Sequence, residues 1–364
     1  MQVRAEQLAS HLQKGLRRVY TVWGDEPLLA QEAGDAIRTA ARAAGCGERQ
    51  VHTVAGAHFD WSGLIGASQA LSLFSERQLI EIRIPSGKPG KDGSEALQRY
   101  CQGLSDAVVT LVQLPRLDRS QQAGAWFMAL DAAGVTLRVD PVERGALPQW
   151  IAQRLAAQGQ RVAADEAGQR TLAFFADRVE GNLLAAHQEI QKLGLLHPPG
   201  ELGFEQIEAA VQDVARYDVY KLGEAVLAGQ VARALRMLEG LQAEGVAAVL
   251  VHWTLAEDIR GLKRVKQAQM RGTPLPLALR EASVWGAKER LFERVLPVLD
   301  EPALAQLIEA AQVCDGLVKG LKHTGWPIDP WDGLKRLVLM ACERVNSGPT
   351  ARQGGAGLRL ALSA

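Results

Sequence analysis

Along the first 140 residues, short apolar runs rich in β-branched side chains recur between longer segments whose apolar positions keep a helical period. The runs Arg18–Trp23, Gln50–Val54, Leu79–Ile84, Val108–Leu114 and Val135–Asp140 predict strands. Segments at about 26–44, 60–72, 94–103 and 119–133 predict the helices between them. Such alternation predicts a parallel sheet with helices on both faces. Beyond Pro141 the β-like runs stop. Residues 147–210 place Leu147, Trp150, Ile151 and Leu155, then Leu172, Phe175, Val179, Leu183 and Ile190, at helical spacing, interrupted by HPPG at 197–200. This predicts a small all-helical domain. Residues 215–345 continue in the same way, with Leu222, Val226 and Leu227, then Leu235, Leu238 and Leu241, then Val249 to Leu255, and predict a helix bundle. The expected division is an α/β domain at 1–140, a small helical domain at 141–210, a bundle at 211–345 and a flexible tail at 346–364, whose SGPTARQGG opening favours no regular element.

Composition supports this picture and narrows the function. With 364 residues, 47% hydrophobic and 23% charged, the chain can fill more than one core, and disorder is excluded for most of it. Lys plus Arg equals Asp plus Glu at 41 each, so no global field favours nucleic acid or an anionic membrane, and any DNA contact must be local or shared with partners. The opening MQVRAEQLASHLQKGLRRVY mixes charges into an amphipathic pattern unlike a secretory signal, and no run approaches the length of a membrane span. The expected location is cytoplasmic. Cys46, Cys101, Cys314 and Cys342 stand singly, without metal-ligand spacing, and are expected to be reduced packing residues.

The first strand leads through Gly24 into a helix, the place where an α/β nucleotide-binding domain carries its phosphate loop. A working loop reads GxxxxGK[ST], because its amides cradle the phosphates, its Lys neutralises them and its hydroxyl holds magnesium. Here Gly24 is followed by Asp25, Glu26 and Pro27, which add negative charge and remove an amide donor. The glycine-rich SGKPGKDG at 86–93 has no Ser or Thr after either Lys. After VVTLVQL the chain reads Pro115-Arg116-Leu117-Asp118 in place of an acidic pair, and Asp118 is better placed to cap the helix that follows. The seven histidines form no HExxH and no GxSxG occurs, so no catalytic, cofactor-binding or metal-ligating residues are assigned.

The stretch QALSLFSERQ at 69–78 joins a predicted helix to a predicted strand. Asp60 is placed to cap that helix, and Leu64, Ala67 and Leu71 fall on one stripe of it. Continuing the stripe would bury Phe74 and turn Leu73 away. Ile80, Ile82 and Ile84 already supply the apolar face of the strand that follows. At least one of Leu73 and Phe74 is therefore expected at the surface. The two readings are a pair packed beneath the loop as core, and a plug for a partner's pocket.

Four stretches, YTVWGDEPLLAQEAGDAIR at 20–38, QALSLFSERQLIEIR at 69–83, AWFMAL at 125–130 and VEGNLLAAHQEIQKLGLL at 179–196, make the sequence resemble the delta subunits of bacterial DNA polymerase III clamp loaders, ATPase-inactive members of the AAA+ clamp-loader family. The resemblance runs over residues 1–345. It implies an AAA+-like first domain without ATP binding, a helical lid and a C-terminal collar domain. Active relatives carry an Arg in a Gly-x-x-Arg context, where this chain has Leu184 after Gly181. In the family the QALSLF element contacts the ring-shaped beta sliding clamp. The resemblance gives the plug positions to Leu73 and Phe74, supported by Gln69, Leu71 and Ser72. It implies as partners the clamp, the gamma/tau and delta prime subunits, and primer-template DNA within the assembly. On this reading the chain is a non-catalytic subunit of a polymerase holoenzyme. The rivals are a divergent active ATPase, and a DNA-binding module that uses the basic run at 260–271, where Arg260, Lys263 and Arg264 share a helical face.

Overall fold

The computed structural model describes residues 1–56, 58–69, 77–211 and 215–347. The chain divides into two compact units, Met1–Ala146 with Leu183–Gln188, and Leu147–Asn182 with the residues from Glu189 onward.

In the first unit the elements run β1 (Gln2–Val3), α1 (Leu8–Gln13), β2 (Val19–Gly24), α2 (Pro27–Ala43), β3 (Cys46–Thr53), α3 (Trp61–Gln69), β4 (Arg77–Arg83), α4 (Gly90–Gln102), β5 (Val108–Leu114), α5 (Arg119–Gln122), α6 (Ala125–Ala133) and β6 (Val135–Val139). The strands form one wholly parallel sheet in the order β1-β6-β2-β5-β4-β3. Central parallel strands are covered on both faces, which explains their near-continuous apolar runs. On one face Val19, Trp23, Ile80, Ile82, Ile84 and Val112 pack with Leu97 and Tyr100 of α4 and Trp126, Phe127 and Leu130 of α6. On the other, Tyr20, Val22, Leu79, Leu111 and Leu137 pack with Ala33, Ile37 and Ala41 of α2. The five strands expected from the sequence are present. The sheet's sixth, β1, was not foreseen: two residues are too few to show an alternation, and only pairing with Thr136 and Leu137 makes them a strand. The helix expected at 119–133 is two helices. Asp118 caps α5 by accepting from the Gln121 N–H at 2.8 Å, and the chain restarts at Gly124.

From Leu147 the chain runs α7 (Leu147–Ala157), β7 (Gln160–Arg161), α8 (Glu166–Val179), α9 (Leu183–Leu196, of which Leu183–Gln188 group with the first unit and the rest with the second), β8 (Gly200–Glu201), α10 (Phe204–Ala210), α11 (Val219–Leu227), α12 (Val231–Ala243), α13 (Ala248–Met270), α14 (Leu275–Glu281), α15 (Ala287–Val295), α16 (Glu301–Val318) and α17 (Pro330–Asn346). The all-helical expectation for 147–210 needs one correction, because β7 and β8 pair in parallel, Gln160 with Gly200 and Arg161 with Glu201. The reason is local. The buried Gln160 side-chain amide donates to the Leu193 and His197 carbonyls at 3.0 and 2.8 Å, closing the end of α9, and this brings the HPPG turn beside β7. One core joins α11, α12, α13, α16 and α17 around Leu222, Leu238, Leu255, Leu307 and Leu337; a second joins the later turns of α13 to α14 and α15 around Val265, Leu279 and Phe292. Cys314 and Cys342 are buried in the first of these and Cys46 in the α2 side of the sheet, as packing residues should be. Burial pushes the Cys314 thiol up to about 12 and that of Cys342 to about 11, so neither is a ready nucleophile. Among the described residues no helix is long and apolar enough to cross a membrane.

Candidate functional site

The turn from β2 into α2 is where a nucleotide's phosphates would lie, and its geometry follows from three residues. Gly24 has φ +146°, and a Cβ there would lie 1.8 Å from the Val139 carbonyl oxygen, so only glycine lets β2 leave the sheet against the end of β6. Pro27 supplies a preset φ to the first turn of α2 and no N–H. Glu26 is buried at the N-cap, where its carboxylate accepts from the Leu28 N–H at 3.2 Å. Burial raises the Glu26 carboxyl; the Leu28 hydrogen bond works against that rise, and the Asp25 charge adds to it. Asp25 itself faces Arg116 at 3.5 Å. These residues do not fit the phosphates of a nucleotide. The helix's positive end already holds a side-chain carboxylate, one of its first amides is missing and the next is taken.

The junction named from the sequence lies between α3 and β4. Leu71, Ser72, Leu73 and Phe74 fall outside the described residues, and Gln69 is exposed at the last position of α3. Both flanks are tied down. The Asp60 carboxylate accepts from the Gly63 N–H at 3.0 Å at the start of α3, as the expected cap would. Near its end, the buried Gln78 side chain donates from Nε2 to the Ala67 carbonyl at 2.8 Å, which bolts the last turn of α3 to the first residues of β4. The Arg77 guanidinium donates to the Asp106 carbonyl at 3.1 Å.

On α13, Arg260 and Arg264 both reach back to Glu257, so two of the three basic residues picked out there already share a carboxylate, and Lys263 is half-buried beside them. Glu257 is drawn opposite ways: burial would raise its carboxyl, and the two arginines outweigh this and hold it below its usual range. Lys266 donates to the Leu296 carbonyl at 2.9 Å and serves the fold. Leu184, at the position where active relatives carry an Arg, is a partly exposed aliphatic side chain.

One charged constellation was missed in the sequence. Glu81, at the middle of β4, is fully buried and accepts from Arg38 of α2 (Nε to Oε1 2.7 Å, Nη2 to Oε2 3.1 Å), from Arg49 of β3 (2.6 and 3.1 Å) and from Arg83 Nη2 at 3.3 Å. Burial alone would raise the carboxyl; the hydrogen bonds and charges of Arg38 and Arg49 overcome it and hold Glu81 at about 2. These arginines line an open cleft of ≈ 670 Å³ between α2 and the carboxyl-terminal ends of β4 and β5, with Asp35, Gln31, Gln113, Pro85 and Pro115. The signal was present in the sequence: Glu81 and Arg83 alternate with isoleucines in a strand of a sheet predicted to be parallel and covered on both faces, and such a strand has no solvated face on which to leave a charge.

A family model described as DNA polymerase III, delta subunit, matches residues 20–140. The DNA polymerase III subunit delta of Escherichia coli (strain K12) is 31% identical over 339 residues, 93% of this chain and 96% of the relative. The protein of the same description from Haemophilus influenzae is 28% identical over 327 residues, 86% of this chain and 92% of the relative. A solved structure of the Bacillus subtilis DNA clamp loader delta protein superposes with a TM-score of 0.50 at 17% identity, covering 93% of this chain and 99% of that one, a likeness of fold. The six-stranded parallel sheet followed by helices is the AAA+-like architecture that the resemblance implied. On the strength of a relative matched across nearly its whole length, this chain belongs to the family of DNA polymerase III delta subunits.

Proposed function

We propose that this chain works in a clamp loader as the subunit that binds the beta sliding clamp and opens it, using binding energy and no ATP hydrolysis of its own. The observation that carries the proposal is the anchoring of the described flanks on either side of Leu73 and Phe74: Gln78 of β4 donates to the Ala67 carbonyl in the last turn of α3. Fixed flanks lower the cost of ordering the chain between them when it binds a partner. Burying each contributes roughly 1.5–3 kcal/mol. Opening follows only if the open or strained ring is bound better than the closed one, since a ligand shifts an equilibrium by its difference in affinity. The capped turn at Glu26 supports the view that ATP acts on other subunits, and an ATP-dependent thermal shift of the isolated chain would count against it.

Residues 141–210 are proposed as the lid and 211–345 as the collar domain that packs with gamma/tau and delta prime subunits. In support, Val249, Leu250 and Trp253 on α13 form an apolar face about half exposed, suited to a helical neighbour. Primer-template DNA would be met within the assembly; with Glu257 holding Arg260 and Arg264, α13 is a weak DNA site by itself.

The test is binding of the purified chain to the cognate clamp, comparing the native sequence with a Leu73→Ala, Phe74→Ala double variant of verified fold. A loss of about 3 kcal/mol or more is expected for two buried anchors. Unchanged affinity would place the contact elsewhere, and no binding by the native chain would overturn the proposed function.

A further inference from the structure

The cleft beside Glu81 has more donors than the fold uses. Three guanidinium groups converge on it, against the Glu81 carboxylate and Asp35, which accepts from Arg38 at 2.7 Å. Arg38 is therefore matched on both sides. Arg49 and Arg83 keep 48% and 42% of their side chains exposed, and each turns only part of its donor fork toward Glu81. A guanidinium carries five N–H donors. Arg83 spends one on Glu81 through Nη2, while its Nε is buried and, among the described residues, has no hydrogen-bond partner. A buried donor left unmade costs free energy, so the fold does not use every donor of Arg83. Gln113 contributes a side-chain amide to the same wall, where Gly34 of α2 leaves room: a Cβ there would come within 3.3 Å of Gln113 Nε2.

The geometry points to an oxyanion site: the cleft takes one phosphate group, bound across the free edges of Arg49 and Arg83. A planar guanidinium fork matches a phosphate's oxygens in a way that water or a halide does not, and Glu81 holds the forks oriented beforehand. The pyrrolidine rings of Pro85 and Pro115 present no N–H and stiffen the rim. The surplus is one positive charge, Arg38, Arg49 and Arg83 against Glu81 and Asp35, so the site suits one phosphate group, alone or at the end of a short chain such as pyrophosphate, better than a whole triphosphate. The phosphate can come from a nucleic-acid backbone or from a small phosphorylated compound.

The experiment titrates the full chain at low ionic strength with inorganic pyrophosphate by calorimetry, and with a fluorescent single-stranded oligodeoxynucleotide by anisotropy. Arg49→Gln and Arg83→Gln, checked for fold by thermal melting, are compared with Arg161→Gln on the short strand β7. Saturable pyrophosphate binding that weakens at least tenfold in both cleft variants and is unchanged in Arg161→Gln is the expected result. If the oligonucleotide loses affinity in the same variants and pyrophosphate displaces it, the source is a nucleic-acid backbone; if only pyrophosphate responds, it is a small phosphate compound. Failure of pyrophosphate to bind, or binding retained in both folded variants, overturns the site. Should the variants not fold, phenylglyoxal modification of the native chain serves instead: pyrophosphate should protect Arg49 and Arg83 and leave Arg161 reactive, and equal labelling with and without it overturns the site.

Discussion

Replacing Glu81 by Gln keeps the shape of the side chain and removes the one charge that three arginines share. Its carboxyl stands at about 2 in the fold against an ordinary 4.5, a difference worth roughly 3 kcal/mol at neutral pH. Deleting one partner of a buried ion pair costs about 3–5 kcal/mol. Here Arg49 and Arg83 can turn partly to water, which places the expected loss just below that range, about 2–3 kcal/mol. The sign of the pH dependence follows. A folded value below the unfolded one stabilises the native state above pH 4.5, and the contribution fades as pH falls toward 2, with under half of it left near about pH 3. The assay is hydrogen exchange by mass spectrometry on peptides from β4 and β5, which reads local opening and does not require the whole chain to unfold in one step. At pH 7 the opening free energy of β4 in the variant should lie about 2–3 kcal/mol below that of the native chain, and the gap should narrow steadily below pH 4.5. A gap under about 1 kcal/mol at pH 7, or one that stays constant down to the acid end, would refute the charge-sharing account of this cluster.

Gly24→Ala should be among the most damaging single methyl additions in the chain, since the new Cβ meets the Val139 carbonyl at 1.8 Å in a left-handed backbone; a loss of roughly 2–4 kcal/mol, read as a lowered melting temperature, is expected, and a native-like melt would mean the β2–α2 turn can relax. Gln78→Leu removes the bolt between β4 and the Ala67 carbonyl without touching Leu73 or Phe74, and clamp affinity should fall at least severalfold while the sheet still folds; full affinity would show that the junction does not depend on its anchored flank. Asp300→Ala removes the carboxylate that accepts from the Ala303 N–H at the start of α16 and should cost about 1 kcal/mol in urea unfolding of the C-terminal helices.

Much of the first unit was legible because its strands are buried on both faces and its helices on one. Val108–Leu114 reads as a strand from β-branched content alone, and Arg18–Trp23 needed only a shift of one residue. The broken phosphate loop was legible too, because Asp25, Glu26 and Pro27 carry their chemistry in their identities. The pairs β1–β6 and β7–β8 were not, since each includes a strand of two residues that owes its existence to a neighbour far along the chain. The proposed clamp contact at Leu73 and Phe74 rests on the resemblance, while the structure contributes the anchoring of the flanks around them.

Local pattern by itself determined the order of the five longer strands, their parallel sheet, the predominance of helices after Pro141 and the unsuitability of the Gly24 turn for phosphate, because each depends on side-chain size, branching or charge at neighbouring positions. Only the tertiary structure decided where the charges went. Glu81 looks like a solvent-facing residue until α2 closes over it and Arg38, Arg49 and Arg83 arrive from three separate elements. The pairing of Arg260 and Arg264 with Glu257 is different, since all three lie on one helix at i, i+3 and i+7 and the spacing was already in the sequence. The energy of a charge depends on its distance from every other charge and from water, and those distances exist only once the chain has folded.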